Sequence, residues 1–273
     1  MPVRLPESFT ETHRDIVRRF IQGESFSRTD RPLFFEAFDL LHGAKVATEA
    51  GWEDFTVVYE RVVETRFAND YLRSLAEAED LETAAEPLRA EVARKIMPVL
   101  REAGLLDPGE PLSFYLLAYC LYWWYAFARG YAFEMQVLRD LEASGIVYQA
   151  HDVFDTQARR SPFDLVVLGF RGDIKTSTYF LHATRTQGLQ HDFYITRVYE
   201  PRRRECVLVV FLKETAWEAI NGETTPVTLD ALPAALPGVF RVQQNDTVLI
   251  VLDYQEWKVR VSRAQRADKE REQ

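Results

Sequence analysis

The sequence predicts a protein of mixed α+β or α/β class, with an all-helical N-terminal domain over residues 1–110 and a second domain over 111–273 in which helices flank a central β-sheet. Two observations predict this division. Through the first hundred residues, apolar side chains recur at helical spacing and the outer faces are charged. From residue 146 onward, short apolar runs bounded by turn residues replace that pattern. With 273 residues and 47% hydrophobic content, the chain can bury a sizeable core.

The N-terminal domain is predicted to contain four helices separated by glycine-containing breaks. They cover residues 9–22, 32–48, 52–76 and 81–103. The pattern leaves packing, oligomerisation and target recognition open as roles of this domain. A homo-oligomer or a protein partner bound through it is therefore one arrangement that the sequence allows.

A run of seventeen residues without a charge, Leu112–Ala128, follows this domain. It is at the short limit for crossing a bilayer, and its tyrosines are spread along its length rather than placed at the two ends. It also continues directly into the next predicted helix. We therefore expect a buried central helix and no membrane partner. The start of the chain has no apolar signal core, from which we expect a cytoplasmic protein.

Residues 131–144 read as a helix that ends at Gly145, and Ile146–Tyr148 reads as a short strand after it. Glu134 occupies the apolar stripe of this helix, and no cationic side chain lies three or four residues away. An unpaired buried carboxylate is costly, so Glu134 indicates a metal or polar site at this end of the helix. Two alternatives stay open: Glu134 reaches water or a distant arginine at the edge of the stripe, or Glu142 takes its place in the site.

The segment 162–175 is predicted to form a β-hairpin. Leu165–Leu168 is an unbroken apolar run, and Gly169-Phe170 suits a two-residue type II′ turn with glycine at its first central position. That turn would place Asp164 opposite Lys175 and Val166 opposite Asp173.

Asp164, Asp173 and Lys175 would then point to the same side of the hairpin. Two neighbouring carboxylates repel unless a cation lies between them, and Mg²⁺ prefers oxygen ligands. A lysine beside such an ion can orient or deprotonate an attacking water and offset the charge of a phosphate. The hairpin therefore predicts an Mg²⁺ or Mn²⁺ site suited to cutting a phosphodiester.

Further strands and a short helix are predicted downstream of the hairpin. The strand of Lys175 can continue over 176–180, a helix can cover 182–187, and strands are expected at 191–200, 206–212, 246–252 and 257–261.

Phe163-Asp164, followed after eight residues by Asp173-Ile174-Lys175, resembles the motif of the PD-(D/E)xK, or restriction-endonuclease-like, nuclease superfamily. Aspartate here stands in the second acidic position, where glutamate is commoner. The superfamily core runs helix, strand, hairpin, helix, strand around a mixed sheet, and a glutamate of the first helix often completes its metal site. The resemblance covers about 131–213.

The resemblance implies a metal-dependent nuclease, with DNA favoured over RNA as the substrate. It implies that Asp164, Asp173 and Glu134 hold the metal, with the Ile174 carbonyl as an extra ligand, and that Lys175 positions the attacking water. The alternative is a non-catalytic interaction or assembly protein that has the fold without the cleavage. No phosphate-binding loop and no Gly-x-Gly-x-x-Gly sequence is present, so nucleotide-driven chemistry has no support.

The net charge of −9 argues against a protein that coats nucleic acid nonspecifically. The charge is uneven, because Gly145–Glu214 holds ten basic and eight acidic residues and the remainder is strongly acidic. Arg202–Arg204 reads either as a solvated turn or as a phosphate contact.

His151, Asp152 and Asp155 lie on a predicted connection, where they fit a polar loop or a contact with substrate or a second ion. Two distant cysteines give no support to a disulfide framework, a zinc knuckle or an iron–sulfur cluster.

Overall fold

A computed structural model of the chain describes residues 1–27, 29–61, 73–74, 76–78, 94–151, 161, 163–178, 180–183, 189–200, 205–214, 224–244 and 247–272. The chain divides into two compact units, Met1–Tyr131 and Ala132–Gln273. Among the described residues, no helix combines the length and the hydrophobicity that a membrane span requires.

The first unit contains both helices and a small sheet. Its helices are α1 (Glu11–Ile21), α2 (Arg31–His42), α3 (Phe55–Tyr59), a helix whose described part covers 94–102, and the first part of the long helix α4 (Ser113–Ala143). Its strands are β1 (Val3–Arg4), β2 (Lys45–Thr48) and β3 (Gly51–Asp54), which pair antiparallel in the order β1-β2-β3.

The prediction of an all-helical N-terminal domain is therefore wrong. The helix expected over 32–48 ends at His42, and residues 45–48 form strand β2 instead. In this strand Val46 is fully buried and Lys45 is exposed. Val46 lies opposite Val3 of β1, a partner more than forty residues away that local spacing cannot reveal. The helix expected over 52–76 begins as β3. Most of its later part, and residues 81–93 of the next predicted helix, lie outside the described residues.

The apolar run 112–128 and the predicted helix 131–144 form one continuous helix, α4. It ends as the sequence predicts, at Gly145 with a left-handed φ of 66°. There the amide of Gly145 donates to the carbonyl of Glu142, and the amide of Ile146 donates to the carbonyl of Leu141. This end of α4 belongs to the second unit and places Glu134 there.

The second unit is built on a mixed β-sheet, as predicted. The described strands are β4 (Gln149–Ala150), β5 (Leu165–Val167), β6 (Phe170–Lys175), β7 (Phe193–Glu200), β8 (Glu205–Lys213), β9 (Thr225–Val227), β10 (Val239–Gln244) and β11 (Thr247–Asp253). They lie in the order β4-β5-β6-β7-β8-β11-β10-β9. Strands β6 and β7 run parallel, as do β9 and β10, and the other neighbours are antiparallel.

Helices cover both faces of this sheet, which explains why its strands are apolar on both sides. Along β7, Phe193 and Ile195 join one core and Tyr194 and Val198 join the other. The first core includes the end of α4 and helix α7 (Tyr254–Glu272); the second includes the short helices α5 (Phe180–Ala183) and α6 (Leu232–Ala235). Helix, strand, hairpin, helix and strand thus follow one another from α4 to β7, in the predicted order.

Several local predictions in this unit are wrong. Ile146–Tyr148 is not a strand, and the first strand is the two-residue β4 that follows it. Strand β6 ends at Lys175, and residues 180–183 form α5 instead of extending it; the rest of the helix predicted over 182–187 lies outside the described residues. The strand predicted at 257–261 belongs to α7, because Trp257 and Val261, four residues apart, both face the core.

Gly172 in β6 allows Phe193 of β7 to pack directly against the hairpin. A methyl group at residue 172 would overlap the Phe193 ring, which is fully buried. We expect Gly172→Ala to lower the free energy of unfolding by about 1–3 kcal/mol, measured by urea denaturation. Gly130→Ala is the matched control, because an added carbon in helix α4 meets no atom there and should be neutral or mildly stabilising. Equal stability of the two variants would contradict this prediction.

Candidate metal centre

The β5-β6 hairpin turns at Leu168-Gly169, one residue earlier than predicted. Both residues have left-handed φ angles, 52° and 81°, which is the pattern of a type I′ turn rather than type II′. Moving the turn by one residue changes each pairing by two positions. Because side chains alternate with a period of two, Asp164 and Asp173 remain on the same side of the hairpin.

Asp164 lies immediately before β5 and is held against the opposite strand. Its amide donates to the carbonyl of Gly172 at 3.0 Å, and its Oδ2 accepts a 2.6 Å hydrogen bond from the amide of Ile174. The Ile174 side chain points into the core. The hairpin backbone therefore fixes the Asp164 carboxyl group, and whether the Ile174 carbonyl is a metal ligand stays a prediction.

Asp173 lies between two basic side chains. Its Oδ1 is 2.7 Å from Lys175 Nζ, and its Oδ2 is 3.6 Å from His191 Nε2. The Asp173 carboxyl group is buried, whereas the Lys175 side chain is 45% exposed. Lys175 thus lies between the buried carboxyl group of Asp173 and solvent.

Glu134 faces into the protein from α4, as its place on the apolar stripe predicts, and its side chain is only 10% exposed. Its Oε1 is buried and has no hydrogen-bond partner among the described residues. A carboxylate oxygen of Glu134 lies within 4.8 Å of one from Asp164. Glu142, the substitute candidate, is exposed near the end of the helix; burial raises the pKa of Tyr148, and the charge of Glu142 raises it further.

His151 completes this group, although its place on a predicted connection favours a polar loop over a contact with substrate or a second ion. It directly follows β4, and its Nδ1 lies 3.2 Å from the carbonyl oxygen of Asp164. Its Nε2 lies 3.6 Å from Glu134 Oε1. The pairing of β4 with β5 brings His151 beside the start of the hairpin, and this pairing is not visible in the local sequence. Asp152 and Asp155 lie outside the described residues.

We call Glu134, Asp164 and Asp173 the acidic cluster. Burial is the main cause that raises the pKa of Asp164, and the charge of Glu134 and a hydrogen bond with the carboxyl group of Asp173 raise it further. Burial likewise raises the pKa of Glu134, with Asp173 adding to the rise and Lys175 opposing it. Burial lowers the pKa of His191 despite the nearby carboxylate of Asp173.

The acidic cluster fits a divalent cation on two grounds. The three carboxyl groups interact with one another beside one lysine, so negative charge stays uncompensated when all three ionise. Within the part of the chain that the structure describes, Glu134 Oε1 is buried without a donor, which is costly unless the oxygen carries a proton or binds an ion. Oxygen donors are the ligands that Mg²⁺ and Mn²⁺ prefer.

Comparisons of the chain with protein-family models, with curated proteins and with solved structures find no match.

The raised pKa values predict how pH and metal act on stability. Glu134 and Asp164 keep their protons to higher pH in the folded state than in the unfolded state, so the metal-free protein should lose stability as the pH rises from about 4 to about 8. A cation that binds the ionised acidic cluster should restore the stability that the protein loses at high pH. We expect the rise in Tm caused by Mg²⁺ to grow over this pH range.

Differential scanning fluorimetry with and without Mg²⁺ measures this effect. The double variant Glu134→Gln, Asp164→Asn is the control, because it should lose both the pH-dependent decline and the Mg²⁺ response. An Mg²⁺ response of equal size in the double variant and in the wild type would contradict the assignment.

Proposed function

We propose that the protein is a metal-dependent nuclease that hydrolyses phosphodiester bonds, with DNA preferred over RNA. The observation that carries this proposal is the acidic cluster: its three carboxyl groups interact with one another beside Lys175, and Glu134 Oε1 is buried without a hydrogen-bond partner among the described residues. The proposal includes a restriction-endonuclease-like core, which the order of elements from α4 to β7 supports.

The acidic cluster and the Ile174 carbonyl would hold Mg²⁺ or Mn²⁺. When bound, such an ion supplies a Lewis acid for the phosphate and lowers the pKa of a water. The amide of Ile174 fixes the Asp164 carboxyl group, and the protein fold fixes Glu134 on α4. The ligands are therefore oriented before the ion arrives, which lowers the cost of assembling the site.

Lys175 would act on the water and the phosphate rather than on the ion. Its ammonium group is paired with Asp173 Oδ1 yet almost half of the side chain is exposed, so its remaining protons can reach solvent and substrate. There it would orient the attacking water and offset the negative charge that builds on the phosphate.

Arg171 is a candidate contact for the nucleic-acid backbone. It is exposed on β6, two residues before Asp173, so that both side chains leave the strand on the same side. Its guanidinium lies over the ring of Phe163 at 5.2 Å. Arg202–Arg204, the other candidate contact, lies outside the described residues. Binding through such local positive charge is compatible with a net charge of −9.

A cleavage assay tests the proposed function. Purified protein should cut duplex DNA with Mg²⁺ or Mn²⁺ and stop when EDTA removes the ion, because the cluster contributes ligands and no nucleophile of its own. Parallel assays with single-stranded DNA and RNA test the preference for DNA. Cleavage that continues in EDTA would refute the mechanism. A lack of cleavage of every nucleic acid, in spite of ion binding, would favour the interaction or assembly protein.

A further inference from the structure

The tautomer of His151 is set by the backbone. A carbonyl oxygen can only accept a hydrogen bond, so His151 Nδ1, at 3.2 Å from the Asp164 carbonyl, carries a proton. In the neutral imidazole, the lone pair then belongs to Nε2. A hydrogen bond from Nδ1 to a backbone carbonyl is also the usual way in which proteins orient a histidine whose Nε2 binds a metal.

That Nε2 faces Glu134 Oε1, the carboxylate oxygen for which the described residues supply no hydrogen-bond partner. His151 Nε2 and Glu134 Oε1 are 3.6 Å apart, too far for a good hydrogen bond, and both side chains are about nine-tenths buried. Adjacent ligand atoms that share one transition-metal ion, each about 2.0–2.2 Å from it, lie about 3–3.6 Å apart. One ligand atom each from Glu134, His151 and Asp164 lies within 4.8 Å of the other two.

We infer that His151 Nε2 is a ligand of the ion, so that the site prefers Mn²⁺ and similar transition ions over Mg²⁺. This inference rests on the metal centre of the proposed function and specifies its cofactor. Imidazole nitrogen is a good ligand for transition ions, whereas Mg²⁺ prefers carboxylate, carbonyl and water oxygen. One nitrogen among oxygen donors shifts the balance between the two ions without creating a closed zinc-type site.

His191 has a different place in the site. Its Nε2 faces Asp173 Oδ2 and not Glu134, and Lys175 lies on the other oxygen of the same carboxylate. His191 therefore provides a control imidazole in the same unit, one that touches the acidic cluster from the side of the lysine.

Two measurements on purified, tag-free protein test the inference. Isothermal titration with Mn²⁺ and with Mg²⁺ gives the ratio of the two affinities, and pulsed EPR of bound Mn²⁺ detects the magnetic coupling of a directly bound nitrogen. We expect wild type to show the nitrogen coupling. His151→Ala should lose the coupling and bind Mn²⁺ about tenfold or more weakly, with a much smaller change for Mg²⁺. His191→Ala should keep both the coupling and the affinity ratio.

His151→Gln controls for misfolding of His151→Ala, because the glutamine side-chain amide can still donate a hydrogen bond to the Asp164 carbonyl. It should keep the thermal stability and the Mg²⁺ affinity of the wild type and lose the nitrogen coupling. A coupling that persists in both His151 variants, or that disappears in His191→Ala, would overturn the inference.

The outcome separates this inference from the proposed function. Protein that cuts DNA with a bound ion but shows no nitrogen coupling would refute the role of His151 alone. Protein that binds Mn²⁺ through His151 but cuts no nucleic acid would refute the nuclease and keep the ligand. Protein that binds neither ion would overturn both.

Discussion

Asp164→Asn should abolish ion binding and reduce DNA cleavage by about a hundredfold or more, without loss of fold. Asparagine has the shape of aspartate, and its amide oxygen can still accept the hydrogen bond from Ile174 that now reaches Asp164 Oδ2. It removes one of three converging negative charges, however, and with it a ligand. At pH 8 the metal-free variant should unfold at a higher temperature than wild type, because burial and the neighbouring carboxyl groups disfavour the ionised Asp164.

Calorimetric titration, a cleavage time course and a thermal melt measure the three effects of Asp164→Asn. Asp54→Asn is the matched control, because Asp54 forms a surface ion pair with Lys45 in the first unit and should be nearly silent in all three. Wild-type ion binding by Asp164→Asn would show that Asp164 is structural.

Lys175→Ala should lose cleavage to a similar extent and keep ion binding. Lys175 is a cation and cannot ligate a metal, and its exposed side chain contributes little to packing. Removing its charge leaves Asp173 with His191 as its remaining basic neighbour, so Mn²⁺ should bind at least as well as in wild type. Single-turnover cleavage and Mn²⁺ titration of the same preparation check both expectations.

Lys45→Ala is the matched control for Lys175→Ala, since Lys45 is also about half exposed and paired with an aspartate. It should cut DNA at the wild-type rate. If Lys175→Ala also cuts at that rate, the lysine has no part in the chemistry. If instead it loses ion binding together with cleavage, Lys175 stabilises the acidic cluster and does not position the water.

The residues of the candidate site could be selected from the sequence because each one breaks a local rule. Glu134 interrupts an apolar helix stripe, and Asp164 and Asp173 flank a short hydrophobic hairpin in which side chains must alternate. The alternation made the prediction robust, since it survived a turn placed one residue away from the predicted position. The turn itself was missed because Leu168, a residue type that rarely adopts a positive φ, occupies its first central position.

The features that the sequence did not reveal depend on distant pairing. Strand β2 is a strand because Val46 is buried beside β1, and His151 reaches the hairpin because β4 pairs with β5. The segment at Trp257 was ambiguous for a different reason. Its five-residue apolar pattern fits either a strand or one turn of a helix, and only the joint burial of Trp257 and Val261 on one face decides for the helix.

A crystal of the wild-type protein soaked in Mn²⁺ shows whether the acidic cluster is a metal centre. Anomalous scattering at the manganese edge locates the ion without reference to activity. We expect an anomalous peak within about 2.5 Å of carboxylate oxygens from at least two residues of the acidic cluster, Asp164 among them. An occupied crystal with its manganese elsewhere, or a cluster that stays free of manganese at saturating concentration, would contradict it.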